Sequence, residues 1–204
     1  MARRIATTPR KAPTQQRARA TVDAIVEATA RILVKDGYDG VSTNRVAAEA
    51  GVSIGSLYQY FPNREALVGE VVDRHSHALT DMVLDRIAAL HEAAPEVVVP
   101  ELVRAVHHAK RKDHRLAKVI REQIPRVGRM RRYEDQLSRI TEVVAAYLEG
   151  VKERLRVSEP QLAAFLAVHL VDALTHEAAT RRSELPEERV AEEITEIVLR
   201  YLLA

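Results

Sequence analysis

The sequence predicts an all-α protein in which a three-helix helix-turn-helix domain precedes a larger helical domain. Two observations carry this. Apolar residues recur at three- and four-residue spacing in segment after segment, without the strict alternation of half-buried strands. Ala, Leu, Val, Glu and Arg are abundant, whereas seven glycines and eight prolines in 204 residues are too few for the many tight turns of an all-β chain.

Residues 1–15 mix Arg, Thr, Pro and Gln without periodicity and read as a basic, disordered arm. From Gln16 to Asp36, Val22, Ile25, Val26, Thr29, Ile32 and Leu33 share one face, and Gly37 follows where positive φ ends a helix. Ser42 or Thr43 can cap a short helix through Ala50, and Ser53 a second one through Phe61, with Gly51 between them. Pro62 and Asn63 stop that helix and cap a long one, whose Leu67, Val68, Val71, Val72, Leu79, Met82, Val83 and Ile87 form a continuous stripe. From Pro95 to Gln123 two helices are expected with uncertain bounds, because Val97-Val98-Val99 is strand-like and Pro100 begins or kinks a helix. A further helix spans Arg132 to Leu155, and Ser158 with Gln161 has the pattern of a capping box for the next. That next helix, Glu159 to Arg181, is apolar nearly all round, so both of its sides should be covered. The last, Pro186 to Leu203, carries one apolar stripe opposite glutamates.

These last two helices can make half of a four-helix bundle with a second copy. The expected homodimer interface is Leu162, Leu166, Leu170, Leu174, Ile194, Ile197, Val198 and Tyr201; an ordinary monomeric core is the competing explanation.

Composition excludes several classes. Without cysteine there is no disulfide framework and no thiolate metal site. No apolar run approaches the roughly 18 residues of a spanning helix, and the first ten residues hold no signal-like apolar stretch, so a cytoplasmic protein without a membrane partner is expected. Net charge is only +2, but it is unevenly spread. Arg3, Arg4, Arg10, Lys11, Arg17 and Arg19 precede the first acid, Asp23, and a second basic run from Lys110 to Arg132 is broken only by Asp113 and Glu122. A basic start suits nucleic acid. The second run is a solvated face, or favours an anionic ligand.

Ala47, Gly51 and Leu57 occupy the offsets a helix-turn-helix requires: a small residue at the crossing, a glycine free to take positive φ, and an apolar anchor in the second helix. The outward residues of that second helix are Ser53, Ile54, Gly55, Ser56, Tyr58, Gln59 and Tyr60, with Thr43 and Arg64 bracketing them. The set is free of acid, as a face lying in a major groove must be, where phosphates repel carboxylates and amides or hydroxyls read base edges. Phe61 falls on the inner face.

The run from Val41 to Leu67, with Gly51-Val52-Ser53, Leu57-Tyr58-Gln59-Tyr60-Phe61 and Asn63-Arg64-Glu65-Ala66-Leu67 in order, closely resembles the DNA-binding domain of TetR-family transcriptional regulators. The resemblance extends from Gln16 to Leu67; beyond it the chain is similar only in being helical and of suitable length. It implies a helix-turn-helix DNA-binding domain over 16–62 and an effector-binding and dimerisation domain over 63–204. It also implies a dimeric repressor on double-stranded operator DNA, an inverted repeat, released by a small-molecule effector. Carried onto this sequence, Thr43 donates to a phosphate, Tyr58 and Arg64 hold the backbone on either side of the groove, and Ser53, Ile54, Gly55 and Ser56 approach bases or phosphates. Gln59 and Tyr60 reach further along the site, Gln59 as the amide reader of adenine. Arg64 stands where many relatives carry Lys, which keeps the charge. The arm is either a solvated tail or a minor-groove contact.

Other chemistry is weakly signalled. Gly51-Val52-Ser53-Ile54-Gly55 spells a hydrolase elbow, but that motif needs a strand before its serine. No Walker loop or Gly-x-Gly-x-x-Gly appears, so neither an enzyme nor a nucleotide cofactor is expected. His107 and His108 are adjacent and His169 and His176 seven apart, spacings that do not suit one metal ion, and no metal site is expected. For the effector pocket, Arg121, Gln123, Tyr133, Phe165 and His169 are the candidate lining, between the middle helices. The rival reading is a helical small-molecule-binding protein or enzyme that retains a helix-turn-helix; it predicts ligand binding or turnover with only weak, salt-sensitive DNA association.

Overall fold

The computed structural model describes residues 16–203; the arm at 1–15 lies outside them. The described residues form nine α-helices and no strand: α1 Gln16–Asp36, α2 Thr43–Glu49, α3 Ile54–Tyr60, α4 Arg64–Ala89, α5 Pro95–Lys112, α6 His114–Gln123, α7 Met130–Gly150, α8 Pro160–Arg181 and α9 Glu187–Leu202. The described residues divide into two compact units, the first running to His75 and including Lys118–Arg131, the second made of Ser76–Ala117 and the described chain from Arg132 onward. The division falls inside α4, whereas the sequence expectation puts a boundary before residue 63.

In the first unit the expected face of α1 is the buried one, with Ile25, Thr29 and Leu33 fully enclosed. Thr29 satisfies its hydroxyl on its own helix, donating to the Ile25 carbonyl at 2.8 Å. Gly37 ends α1 at φ 69°, ψ −173°, a combination essentially restricted to glycine, so the chain leaves the helix extended rather than in the left-handed helical basin. Leu67, Val68, Val71 and Val72 of α4 are buried, as are Ile120, Ile124 and Val127 of the later segment. Arg74 ties α4 to α1, donating to Asp23 at 2.6 Å and to Glu70 at 2.9 Å. Arg129 lies against Asp73, its Nε 2.9 Å from both carboxylate oxygens, with the two side chains only 4% and 10% exposed.

The second unit is built on α5, which packs on α8 and α9. The valine run belongs to this helix. Val98, Val99, Val103 and Val106 fall on one helical face and are buried, and that packing outweighs the strand preference of β-branched residues. Pro95 sits in the first turn, where its missing N–H costs nothing, and Pro100 is carried within the helix. The capping box is absent: α8 begins at Pro160 behind Glu159, which makes no side-chain cap, so Ser158 falls outside the cap position. The α7 helix ends at Gly150, five residues short of expectation, and a 3-10 turn over Lys152–Arg154 replaces its last turn.

The side chains of α8 are distributed by size. Ala163, Ala164, Ala167, Ala178 and Ala179 face inward, while Leu162, Phe165, Leu166 and Leu174 are 40–48% exposed. By length and composition this helix meets the requirement for crossing a membrane, contrary to the sequence expectation that no segment does, because its alanines add to its hydropathy.

Polar groups are also enclosed in the second unit. Lys110 Nζ donates to Asp172 Oδ1 at 2.8 Å and to Thr175 Oγ1 at 3.0 Å, and Tyr133 donates its hydroxyl to Asp172 Oδ2. His107 is fully buried with both ring nitrogens lacking a hydrogen-bond partner. Desolvation lowers its pKa; Glu187 raises it, whereas Arg111 and Lys110 add to the lowering. Since the folded value lies below the unfolded one, this group's contribution to stability is complete above about 6.5, the unfolded pKa, and is lost as pH falls below it. The expected result is a urea midpoint that drops between pH 7.5 and 5.5 in wild type and drops less in His107→Leu, with no loss in the variant at pH 7.5. Parallel pH dependence in the two proteins would show that His107 does not contribute.

Candidate DNA-binding surface

Two side-chain caps and one glycine set the geometry of α2 and α3. Ser42 Oγ accepts from the Arg45 N–H at 3.3 Å, and Ser53 Oγ accepts from the Ser56 N–H at 3.1 Å, satisfying free donors at each helix start. Gly51 takes φ 66° in the turn, and the Val52 N–H returns to the Ala47 carbonyl at 3.0 Å. Ala47 at the crossing is 4% exposed, and Leu57 and Phe61 are fully buried on the inner side of α3. The turn therefore pins one face of α3 and leaves the other in solvent.

On that outer face lie Ser53, Ile54, Gly55, Tyr58 and Gln59, all exposed, with Ser56 and Tyr60 half-buried. No carboxylate belongs to this set. The nearby acids are engaged elsewhere, Asp36 with Arg45, Glu49 with Arg31 and Glu65 with Tyr38. The hydroxyls of Thr43 and Tyr58 are 3.1 Å apart, so the first residue of α2 and the middle of α3 form one polar edge. At the other edge, Asn63 Oδ1 accepts from the Ala66 N–H at 2.8 Å and starts α4, which places Arg64 in its first turn. The Arg64 guanidinium stands 4.3 Å from the centre of the Tyr38 ring.

Tyr38 was not among the sequence candidates. Its hydroxyl donates to Glu65 Oε1 at 3.1 Å, and burial followed by this carboxylate raises its pKa, so the phenol stays neutral beneath the guanidinium. Tyr38 and Arg64 are 26 positions apart, and no local spacing marks them as partners. The nine sequence candidates for DNA contact thus occupy one stretch of structure: the start of α2, α3 and the start of α4.

Ser53 explains why the elbow-like Gly-x-Ser-x-Gly has no counterpart here. Its oxygen caps α3 and lies 2.9 Å from Ser56 Oγ, and a helix precedes it instead of a strand.

The effector candidates are divided between the two units. Arg121 and Gln123 belong to the first unit and Tyr133, Phe165 and His169 to the second. Gln123 is 4% exposed with its Oε1 unpartnered, and the Tyr133 hydroxyl is engaged by Asp172. Phe165 is 48% exposed on α8, and the His169 ring lies against it with centroids 4.2 Å apart. Among the interface candidates, Ile194 and Val198 are 3% and 4% exposed and pack in the unit's own core. Leu162, Leu166, Leu174 and Ile197 are exposed, and Leu170 and Tyr201 half-buried. A groove of about 580 Å³ in the second unit, lined by Leu84, Ile87 and Val143 with His91 and Arg139 as polar groups, contains none of the sequence candidates.

A protruding, capped, acid-free helix presented by a helix-turn-helix and followed by a helical unit defines a DNA-binding regulator. The family model for bacterial regulatory proteins of the tetR family matches residues 25–71, and a tetracyclin repressor-like C-terminal domain model matches residues 95–202. The chain belongs to the tetR family. It is 29% identical over 118 residues to the DNA-binding transcriptional repressor TetR of Mycobacteroides abscessus, a match covering 52% of this chain and 60% of that protein. The chain spans less than two thirds of the length of the curated relatives it first matches. Its fold is similar to that of a TetR-family transcriptional regulator from Mesorhizobium loti (TM-score 0.75, 24% identity, 93% of this chain and all of that one). It is also similar in fold to SmeT, the repressor of the Stenotrophomonas maltophilia multidrug efflux pump SmeDEF (TM-score 0.72, 17% identity, 92% of each chain), which has also been solved with triclosan.

Proposed function

We propose that the protein is a homodimeric repressor, acting in the cytoplasm and without catalytic activity, that binds an inverted-repeat operator and is released by a small-molecule effector. The observation that carries this is the outer face of α3, exposed, free of acid and bracketed by Thr43 and Arg64. Support for the dimer comes from α8, which leaves Leu162, Phe165, Leu166 and Leu174 exposed while five of its alanines are buried. Support for an effector comes from the triclosan complex of SmeT and from the apolar groove of the second unit, whose few polar groups can orient a ligand.

Selecting fragments of the source genome with purified protein near physiological salt tests the reading, because low salt inflates nonspecific binding. Enrichment of an inverted repeat is expected; folded dimer that recovers no preferred sequence would overturn it. Gln59→Ala should then relax discrimination at one base pair by about 1–3 kcal/mol, whereas Tyr58→Ala should weaken all sequences alike, as loss of a phosphate contact does. Unchanged operator binding in either variant removes that residue from the surface. For the effector, linkage requires the operator to weaken ligand binding by the factor with which ligand weakens operator binding. Equal ligand affinity of free and operator-bound protein would end that part of the proposal.

A further inference from the structure

The helix-turn-helix explains base reading but not how its unit acquires positive charge. Residues 16–75 hold seven Lys or Arg against eight Asp or Glu, a balance unsuited to a polyanion. Besides the basic residues 1–15, which lie outside the described residues, the same unit includes Lys118–Arg131, which holds five cations against one glutamate. The basic run that reads from sequence as a solvated face or an anion-binding segment is thus divided, and this portion belongs with α3.

One of its cations is held in position. After α6 the chain makes a tight turn in which Val127 N–H bonds to the Gln123 carbonyl at 3.0 Å and Arg129 N–H to the Ile124 carbonyl at 2.9 Å. Ile124 and Val127 are buried, and Arg129 is fixed on Asp73. Arg126 projects from this anchored turn, exposed, with its guanidinium 5.8 Å from the centre of the Tyr38 ring. Arg64 stands over that same ring, so the two guanidinium carbons lie within about 10 Å of each other. The acid beside them, Glu65, already accepts from Tyr38 and is 3.7 Å from Arg64 Nε. Arg126 makes no ion pair among the described residues. Two cations beside one aromatic ring suit a ligand that carries one negative charge per roughly 3.4 Å along each strand.

We propose that Arg126 is a second backbone-phosphate anchor, acting with Arg64 beside the base-reading helix, and that Lys118–Arg131 adds positive charge to residues 16–75, whose own charges nearly cancel. This rests on the operator-binding reading above. Salt titrations of an operator duplex and a random duplex test it, using wild type, Arg126→Gln, Arg126→Lys and, as a control, Arg189→Gln on α9. Arg126→Gln should bind both duplexes about three- to tenfold more weakly near physiological salt, and its slope of log affinity against log salt should be shallower by about 0.9. Arg126→Lys should keep the slope, and Arg189→Gln should match wild type. A wild-type slope in Arg126→Gln, a loss confined to the operator, or an equal loss in Arg189→Gln would overturn the inference while leaving operator binding in place. Wild type that binds neither duplex would remove both readings together.

Discussion

Leu162→Glu with Leu166→Glu should convert the protein to a monomer and reduce operator affinity by a hundredfold or more. Both leucines are exposed on the outer side of α8, 48% and 43%, so the substitutions leave the protomer's own core intact. In a two-fold interface each substitution counts twice, and four carboxylates would meet in a patch that must lose its water to close. The operator loss follows because two linked reading helices gain avidity that one cannot, commonly a factor of 10² to 10⁴. Sedimentation and operator titration on the same preparation check both halves. A variant that stays dimeric would exclude this face of α8 as the interface.

The second large effect concerns the ion pair of the first unit. Arg129→Met should lower stability by about 3–5 kcal/mol, because it leaves the Asp73 carboxylate enclosed without its guanidinium. Changing both partners, Asp73→Leu with Arg129→Met, should recover much of that loss, since an apolar pair needs no compensating charge. Urea unfolding of the single and double variants gives the comparison. A loss below about 1 kcal/mol in the single variant would mean that water reaches the carboxylate as readily as it reaches an exposed pair.

What could be read from the sequence was local. The bounds of α1, the serine caps of α2 and α3, the positive φ of Gly51 and the burial of Leu57 and Phe61 each depend on residues within a turn or two. The outer face of α3 followed from them. What was missed depends on distant partners. Asp73 and Arg129 are 56 positions apart, and nothing in the spacing of either segment announces that the turn after α6 joins the first unit. The valine run of α5 misled because β-branched propensity is weak beside the burial of a whole face. Periodicity failed on α9 in an instructive way. It grouped Ile194, Ile197 and Val198 on one stripe, but a stripe broader than one neighbour spans two environments, and only Ile197 reaches the surface. On α8, apolar nearly all round, periodicity could not show that Leu162, Phe165, Leu166 and Leu174 are the side chains left exposed.

The division of α8 by size has a consequence for how the regulator is dosed. In the proposed dimer, the leucines and phenylalanine that α8 leaves in water would be covered by association, so the melting temperature should depend on protein concentration. Below the dissociation constant of the pair, the number of binding-competent molecules grows as the square of the number of chains. Halving the copies in a cell would then cut the repressor population roughly fourfold by mass action. In the proposed dimer, the threshold at which a gene is released would therefore depend nonlinearly on expression level through one helix face.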